Sequence, residues 1–483
     1  MTARKQDVAD NSPERIDAVT VQDDLDSRVH NLYEKREKIF TRSIEGFYQN
    51  IRLFTGWPLL LGYFLLPWLT LDDRPAILFD LPARQFHILW LTFWPQDFGY
   101  LSWGLMIAAF LLFFVTTLLG RVWCGYTCPQ TVWTAIFMWA EQVAEGVRHQ
   151  RINLEQAPWS LQKLAKRVLK HGMWMGFAAL TGITFVAYFY DVRELLVDAY
   201  LWRLSEDVVF WVGFFTLATY INAGWMREQV CLYMCPYARF QSAMFDKDTL
   251  IVSYDASRGE ARGPRKRSVE PATLGLGDCI DCSLCVQVCP TGIDIRDGLQ
   301  YECINCAYCI DACDSIMGKM GYDAGLISYT TEHQQAGLGW TWKRPKLLGY
   351  GMAVMVMMSL FAYSLYSRVP LGLDVMRNRG ELYQEVPGGL IRNTYSVKIL
   401  NMDRQDHEIL LAVSGLPEPR LAPDEIVWVR AGEIYELSVD VLVDPDLLSA
   451  VNTTIEFEVT TVDQQWQAGS ESRYLGPLPV GAY

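Results

Sequence analysis

Eight of the twelve cysteines in this chain occur in two consecutive runs with the same internal spacing. The runs are Cys279-x2-Cys282-x2-Cys285-x3-Cys289, followed by Pro290, and Cys303-x2-Cys306-x2-Cys309-x3-Cys313, followed by Asp314. Bacterial ferredoxins with two 4Fe-4S clusters have this spacing, because the fourth cysteine of each run binds the cluster of the other run. The spacing therefore predicts an α+β ferredoxin domain inserted in the chain.

The crossing rule divides these eight cysteines into two predicted ligand sets. The first cluster is assigned to Cys279, Cys282, Cys285 and Cys313, and the second to Cys289, Cys303, Cys306 and Cys309. Zinc sites usually combine two CxxC pairs and have no use for a third cysteine at the same interval. Disulfides need an oxidising compartment, whereas the charge pattern described below puts these cysteines in the cytoplasm. The two cofactors predicted are therefore 4Fe-4S clusters.

Five uncharged apolar runs are close to the length of about 20 residues that crosses a bilayer as a helix. They are approximately Leu53–Leu71, Leu101–Gly120, Gly172–Tyr190, Val208–Met226 and Leu347–Ser367. The first contains Pro58 and Pro67, which spanning helices tolerate where neighbouring groups satisfy the freed backbone. The chain is therefore predicted to be a multi-pass α-helical membrane protein with about five spans.

The distribution of lysine and arginine predicts the orientation of these spans, because cytoplasmic loops are enriched in positive charge. Residues 121–171 contain seven such side chains and residues 227–346 contain thirteen, whereas 72–100 and 191–206 contain two each. The N-terminal tail and all twelve cysteines are therefore expected in the cytoplasm. With five spans in the inner membrane of a Gram-negative cell, the C-terminal region is expected in the periplasm.

The C-terminal region has a different character from the membrane core. It contains no cysteine, its acidic side chains outnumber its basic ones 18 to 8, and short alternating runs are separated by Pro, Gly, Asn and Asp. This pattern predicts an all-β sandwich. The predicted organisation is a tail (1–50), a four-span membrane core (51–250), a ferredoxin-like domain (251–346), a fifth span (347–367) and an exported domain (369–483).

The four remaining cysteines form two copies of one motif, C-x-Y-x-C-P, 107 residues apart. Cys124 to Pro129 follows the second predicted span, and Cys231 to Pro236 follows the fourth. The repetition predicts a duplicated unit consisting of a span, a cysteine motif and an interfacial helix. Two pairs together could supply four sulfur ligands to Cu(I), zinc or another iron–sulfur cluster.

The proline of each motif predicts where the following helix begins. A residue before proline is driven out of the helical region, while proline suits the first helical position. Cys128 and Cys235 are therefore expected as N-cap residues at the positive end of a helix, a position that favours the thiolate. The competing interpretation is that these cysteines only pack at crowded helix ends. We interpret Cys124, Cys128, Cys231 and Cys235 as sites of metal or thiol chemistry, and the motif leaves the metal open.

Taken together, these motifs resemble the FixG/RdxA-type accessory proteins of cbb3-type cytochrome c oxidase. The resemblance rests on the segment from Gly120 to Thr134, on the second motif, on Tyr254-Asp255-x-x-Arg258-Gly259-Glu260 and on the tandem ferredoxin runs. It implies an immunoglobulin-like fold for the exported domain. It also implies an oxidoreductase that reduces Cu(II) to Cu(I) for the oxidase. With that activity, Cys124, Cys128, Cys231 and Cys235 are predicted to be the catalytic cysteines and possible copper ligands.

The resemblance also implies partners for such a reaction. They are copper ions, an unidentified cytoplasmic electron donor, a copper-exporting ATPase or copper chaperone, and oxidase assembly factors, with no nucleic acid. Two other functions share the same motifs. The first is a quinol-linked ferredoxin-type conduit to a periplasmic reductase, and the second is a non-enzymatic scaffold for oxidase assembly.

Overall fold

The computed structural model describes residues 38–71, 74–339, 341, 344–378, 380, 382–403, 405–423, 426–448 and 450–477. Most of the predicted N-terminal tail, residues 1–37, lies outside this range. The α-helices are α1 (Phe47–Leu65), α2 (Phe98–Leu119), α3 (Pro129–Glu145), α4 (Arg148–Gln156), α5 (Leu161–Val186), α6 (Val192–Tyr200), α7 (Glu206–Thr219), α8 (Pro236–Met244), α9 (Ala256–Gly259), α10 (Leu284–Val288), α11 (Tyr308–Met320), α12 (Glu332–Gln335) and α13 (Pro345–Tyr366). Three π-helical turns are Trp123–Thr127, Tyr220–Met226 and Val230–Met234.

The strands form five antiparallel sheets. They are β1 (Thr70–Leu71), β2 (Arg74–Pro75), β3 (Ile77–Asp80), β4 (Gln85–Ile88), β5 (Leu91–Phe93), β6 (Ile251–Tyr254), β7 (Ile327–Thr330), β8 (Leu371–Arg377), β9 (Gln384–Glu385), β10 (Ile391–Asn401), β11 (His407–Ser414), β12 (Arg420–Ala422), β13 (Val427–Val429), β14 (Ile434–Val443), β15 (Asn452–Thr461) and β16 (Gln467–Leu475). The chain divides into two compact units, one within 1–66, 115–187 and 196–342, the other within 67–114, 188–195 and 343–483.

Within the described residues, three helices are long and apolar enough to cross a membrane. They are Pro95–Leu119, Glu206–Met226 and Pro345–Tyr366, which match the second, fourth and fifth predicted spans. Large apolar side chains such as Leu105 and Met355 are more than 60% exposed, as expected of surfaces that face lipid. The other two predicted spans are also helical, as α1 and α5. Among the described residues, neither is one of the helices that are long and apolar enough to cross a membrane. The structure therefore supports three membrane-capable helices where the sequence predicted five.

Helices α5 and α7 pack closely because a glycine lies at their contact. A Cβ atom at Gly182 would lie 2.6 Å from Thr216 Oγ1 and 2.8 Å from the Val212 carbonyl oxygen. The rings of Phe185 and Phe215 meet beside it with their centroids 3.8 Å apart. Small residues of this kind let the backbones of membrane helices approach each other.

A buried network of charges joins α3 to its neighbours. Glu141 accepts ion pairs from Arg151 on α4, at 3.0 Å, and from Arg227, at 2.7 Å. One turn further along α3, Glu145 pairs with Lys170 and Arg167 of α5 at 2.9 and 3.0 Å. Removing one partner of such a network leaves an uncompensated buried charge, which is strongly destabilising.

The ferredoxin region is built around the pair β6–β7 and the helices α10 and α11. Val252 of β6 is paired with Tyr329 of β7, and the buried face of this sheet packs with Ile310 and Met317 of α11. Five of the eight ferredoxin-type cysteines are in or against this core, namely Cys279, Cys285, Cys303, Cys309 and Cys313. The second core, Leu284, Val288 and Ala312, joins α10 to α11. The cysteine runs therefore fold into one compact region.

The C-terminal region is a sandwich of two antiparallel sheets, which confirms the predicted β architecture. One sheet has the order β12-β14-β10-β8 with β9 paired to β10, and the other has the order β13-β11-β15-β16. Tyr395 of β10 and Phe457 of β15 are fully buried, with their ring centroids 4.9 Å apart, so the two sheets share one core. Strands β8 and β16 were not expected from the sequence.

Replacing Gly182 by valine should force α5 and α7 apart. Overpacking of this kind typically costs about 1–3 kcal/mol. We expect a lower thermal unfolding midpoint for the detergent-purified Gly182→Val protein. The matched control is Gly176→Ala on the same helix, because a Cβ there meets nothing within 4 Å. An unchanged midpoint for Gly182→Val would show that the two helices do not pack in this way.

Candidate iron–sulfur and cysteine sites

The eight ferredoxin-type cysteines line two separate cavities. One cavity is lined by Cys279, Cys282, Cys285 and Cys313, together with apolar residues such as Leu284 and Ile316. The other is lined by Cys289, Cys303, Cys306 and Cys309, and Cys285 also borders it. These two groups are the ligand sets that the crossing rule predicts. The donor sets and the apolar walls fit 4Fe-4S clusters, while cluster binding by each named cysteine stays a prediction.

The two cysteine runs have the same backbone conformation. Asp281 and Ser283 in the first run have φ values of 55° and 52°, and Asn305 and Ala307 in the second have 53° and 61°. Left-handed conformations are costly for residues other than glycine, so the surrounding fold must hold them in place. In each run they curl the chain so that its first three cysteines face one cavity. The local fold thus places the sulfurs before any cofactor is considered.

The two cavities differ in their access to solvent. Cys282 of the first set is exposed, whereas Cys306 of the second set is buried. Burial raises the pKa of the Cys306 thiol to about 12, and the nearby Arg52 opposes that rise. Burial likewise raises the pKa of Cys285 to about 11. Sulfurs in such surroundings ionise only with a strong positive partner, which the iron atoms of a bound cluster provide.

Both C-x-Y-x-C-P motifs fold as a π-helical turn that ends at an N-cap cysteine. The amide of Cys128 donates to the Trp123 carbonyl at 2.9 Å, and the amide of Cys235 donates to the Val230 carbonyl at 2.8 Å. Cys128 is the N-cap of α3 and Cys235 is the N-cap of α8, with proline at the next position in each case. The N-cap prediction is therefore confirmed.

The expectation that the N-cap position favours the thiolate is wrong for Cys128, whose pKa is raised chiefly by burial, and the first cysteine of each motif also has a raised pKa. Burial, followed by repulsion from the neighbouring Cys128, raises the pKa of Cys124 to about 12. The pKa of Cys231 is raised to about 11, again chiefly by burial. For Cys128, burial outweighs the amides of Thr131 and Gln130 that lower the pKa. Loss of hydration therefore dominates over the helix terminus.

The two motifs lie beside each other. The side-chain amide of Gln130, two residues after the first motif's last cysteine, donates to the carbonyls of Asn222 at 2.9 Å and Arg227 at 3.2 Å, just before the second motif. Within the described residues, however, no three His, Cys, Asp or Glu side chains are close enough to hold a single metal ion. The structure therefore brings the two pairs together but does not support a preformed copper site.

The first motif packs directly against the loop between two ligands of the second cluster. A Cβ at Gly125 would lie 2.8 Å from the carbonyl oxygen of Ile304 and 2.9 Å from that of Asn305. The Tyr126 hydroxyl is 3.1 Å from that of Tyr329, which donates to the Asn305 carbonyl at 2.5 Å. Only a residue without a side chain permits this approach. The first motif and the second cluster site are therefore parts of one structure.

The two copies of the motif are not equivalent. In the second copy Leu232 stands where the first has Gly125, and Tyr233 is 58% exposed where Tyr126 is buried. The second copy is also near the loop of the predicted second cluster, because Cys231 and Ile304 line the same pocket. The close backbone approach at Gly125 belongs to the first copy.

Two buried arginines near the second cluster site were not identified from the sequence. Arg52 of α1 lies over the ring of Tyr308, with Cζ 4.7 Å from the ring centroid, and donates to the Thr131 carbonyl. Arg121, between α2 and the first motif, donates to the carbonyls of Cys303 at 3.2 Å and Ala238 at 3.2 Å. The sequence does contain a signal for both, because each arginine lies at the end of an apolar run, Arg52 before Leu53 and Arg121 after Gly120.

Comparison with protein families agrees with this organisation. Residues 226–332 match a model described as a 4Fe-4S dicluster domain, and residues 101–150 match a 4Fe-4S binding domain. Residues 361–477 match the IG-like fold at the C-terminal of FixG. The fold and its sites thus define an iron–sulfur protein of the electron-transport oxidoreductases, with membrane-capable helices and an immunoglobulin-like domain.

Several relatives match over most of the chain. The nitrogen fixation protein FixG of Rhizobium meliloti is 39% identical over 442 residues, which is 83% of this chain and 84% of that protein. Protein RdxA of Cereibacter sphaeroides is 40% identical over 402 residues, covering 80% and 84%, and its protein RdxB is 37% identical over 433 residues, covering 84% and 89%. The chain belongs to the FixG/RdxA/RdxB family.

A solved structure of a FixG-related protein also matches part of the chain. It is a crystal structure from Vibrio parahaemolyticus that is 32% identical in sequence. The match covers 23% of this chain and 98% of that chain, with a TM-score of 0.21.

Adding one methyl group at Gly125 should disturb the second cluster site. The Gly125→Ala side chain would collide with two backbone carbonyls, an overpacking cost of about 1–3 kcal/mol. We expect the iron and acid-labile sulfide content of the purified protein to fall by up to about half, since one of two clusters touches this contact. Gly318→Ala on α11 is the control, because its Cβ meets nothing within 4 Å. Full iron content in Gly125→Ala would contradict the contact.

Proposed function

We propose that this protein is a membrane iron–sulfur oxidoreductase that reduces Cu(II) to Cu(I) and thereby supports the assembly of cbb3-type cytochrome c oxidase. Membership of the FixG/RdxA/RdxB family and the two 4Fe-4S matches support the oxidoreductase part of this proposal. The single observation that carries the copper part is the packing of Gly125 against Ile304 and Asn305. It supports the copper part because the turn that carries Cys124 and Cys128 contacts the segment between Cys303 and Cys306, two of the proposed cluster ligands.

In this proposal each part of the chain has a separate task. The eight ferredoxin-type cysteines hold two 4Fe-4S clusters, which supply electrons one at a time when bound. Cu(II), the substrate, accepts one electron that originates in a reduced cytoplasmic carrier, and becomes Cu(I). Thiolate is a preferred ligand of Cu(I), so the sulfurs of Cys124, Cys128, Cys231 and Cys235 stabilise the product. The ion then passes to a copper-exporting ATPase or chaperone.

The domain boundaries and orientation proposed from the sequence complete this arrangement. The cysteine sites face the cytoplasm of a cell with an inner membrane, and the immunoglobulin-like domain faces the periplasm. Five spans are favoured by contacts within the first unit. The start of α1 meets the ferredoxin region, where the amides of Tyr48 and Gln49 donate to Asp311, and the end of α2 meets it too, where the Leu250 amide donates to the Leu118 carbonyl.

Two ends on one side of a membrane require an even number of crossings between them. If α2 crosses once between residues 48 and 120, then α1 must cross as well. The same argument applies between the two cysteine motifs, which lie beside each other. If α7 crosses, the 26-residue α5 must also cross, and at 1.5 Å per residue it is about 39 Å long. This is sufficient for a hydrocarbon core of about 30 Å.

Reporter fusions distinguish five spans from three. A phosphatase that is active only in the periplasm should be active when fused after Trp90 or Trp202 and inactive after Trp159. If only α2, α7 and α13 crossed, the fusion after Trp159 would be active and the fusion after Trp90 inactive. A fusion of a cytoplasm-active fluorescent protein at each position serves as the complementary control, and the three-span pattern would overturn the proposal.

A second candidate for the C-x-Y-x-C-P cysteines is a third 4Fe-4S cluster. It is favoured by the match of a 4Fe-4S binding domain to residues 101–150, because Cys124 and Cys128 are the only cysteines in that segment. Iron analysis separates the two candidates. Protein purified without oxygen should contain about eight iron atoms per chain with two clusters and about twelve with three.

Replacing Cys231 and Cys235 with serine should abolish Cu(II) reduction. The double variant loses half of the sulfur ligands while the eight ferredoxin-type cysteines are untouched, so its iron content and visible absorption should stay at the wild-type level. Formation of Cu(I) is followed with a colorimetric Cu(I) chelator in the chemically reduced protein. Cys306→Ser is the contrasting variant, because it should lose cluster iron. Unchanged copper turnover in the double variant would remove the proposed copper site.

A further inference from the structure

Two buried cations lie beside the second cluster site without an acidic partner. Arg52 and Arg121 are 6% and 7% exposed. Among the residues that the structure describes, neither forms an ion pair with a carboxylate. The Nη1 atom of Arg52 is buried without any hydrogen-bond partner. A buried charge left in this state is strongly destabilising unless a negative group compensates it.

The positions of these arginines identify that negative group. Arg121 donates to the carbonyl of Cys303 and lies over the ring of Tyr301, at 5.0 Å from the centroid. Arg52 lies over the ring of Tyr308, between the ligands Cys306 and Cys309. Four thiolates around an iron–sulfur cluster give the site a net negative charge, and one more negative charge is added on reduction. The second cluster is thus the counter-charge that both arginines lack.

The first cluster site has a different electrostatic environment. Its cavity contains Arg296, which is already neutralised by two carboxylates, Asp281 at 2.6 Å and Asp294 at 2.6 Å. Asp314 follows the ligand Cys313 and contributes a further negative charge. One cation, Arg265, donates to the Cys279 carbonyl at 3.3 Å, and its Nη2 atom is buried without a hydrogen-bond partner, as Nη1 of Arg52 is. In the described part of the chain, the first site thus has one arginine without a carboxylate partner, where the second has two.

Two carboxylates lie near the second cluster site in the part of the chain that the structure describes. Glu228 lines one pocket with Arg52, Cys231 and Ile304. The two oxygens of Asp311 accept the amides of Tyr48 and Gln49 at 3.2 and 2.8 Å, so its charge is partly satisfied at the start of α1. Burial lowers the reduction potential of the second cluster, as these carboxylates do, because it disfavours the more highly charged reduced state. The two arginines oppose this effect. They lie in surroundings of low dielectric constant, where each cation interacts more strongly with the cluster than it would at the surface.

We propose that Arg52 and Arg121 make the second cluster the one with the higher reduction potential, so that reducing equivalents collect at the site that contacts the first C-x-Y-x-C-P motif. The two arginines are positioning residues. Their described contacts are with Tyr308, Thr131, Tyr301, Cys303 and Ala238, and they act by stabilising the reduced state of the second cluster. This inference rests on the two-cluster assignment and is independent of what the C-x-Y-x-C-P cysteines bind.

A redox titration of the purified full-length protein, followed by low-temperature EPR, tests the proposal. Two signals with different midpoint potentials are expected. Arg52→Gln and Arg121→Gln should each lower the equilibrium constant for reduction of the cluster that gives the higher-potential signal about tenfold. For a one-electron couple this lowers the midpoint potential by about 59 mV. The lower-potential signal should not move. Asp294→Asn is the reciprocal variant, because it frees Arg296 and should raise only the lower-potential signal.

Arg52→Lys and Arg121→Lys separate charge from packing. The lysine variants keep the cation and should keep the potential, with the wild-type iron content. A purely structural role would reduce iron content in both the glutamine and the lysine variants without shifting either midpoint, and this result overturns the proposal. So does a shift of the lower-potential signal in an arginine variant. If the protein does not reduce copper, the arginine variants should still show the expected shifts in midpoint potential. Failure of the proposed function can therefore be told apart from failure of this inference.

Discussion

The approach of the Gly125 backbone to the carbonyls of Ile304 and Asn305 is the contact on which the rest of the site depends. It is possible only because residue 125 has no side chain. Through it, a turn at the end of a membrane-capable helix is in direct contact with the loop that carries Cys303 and Cys306. Tyr126 and Tyr329 extend the contact by hydrogen bonds to the same loop. Electron carrier and sulfur ligands are thereby built into one region.

The features that could be predicted from the sequence depend on short-range rules. The spacing of the ferredoxin-type cysteines predicted two groups of four, and the same groups line two cavities. Pro129 and Pro236 predicted that Cys128 and Cys235 precede a helix, because proline suits the first helical position whatever the rest of the fold. Alternating strands such as β10 and β14 were found for the same reason.

The features that were missed depend on tertiary contacts. A helix terminus favours the thiolate, but burial of Cys128 outweighs that effect and raises its pKa, and a linear motif contains no information on burial. The two motifs look alike in sequence, yet the close backbone approach to Ile304 occurs at Gly125, where the second motif has Leu232. Strand β16 was not predicted because it is rich in polar residues. Its alternation of inward-facing and outward-facing side chains can be recognised only when Tyr474 is known to be buried.

The ion pairs of Glu141 have a consequence for the two cysteine motifs. This residue binds Arg227, shortly before the second motif, while its own helix α3 begins at Cys128 of the first. A buried ion pair resists separation, because each charge left alone is strongly destabilising. The two motifs are therefore tied to each other by charge as well as by the hydrogen bonds of Gln130.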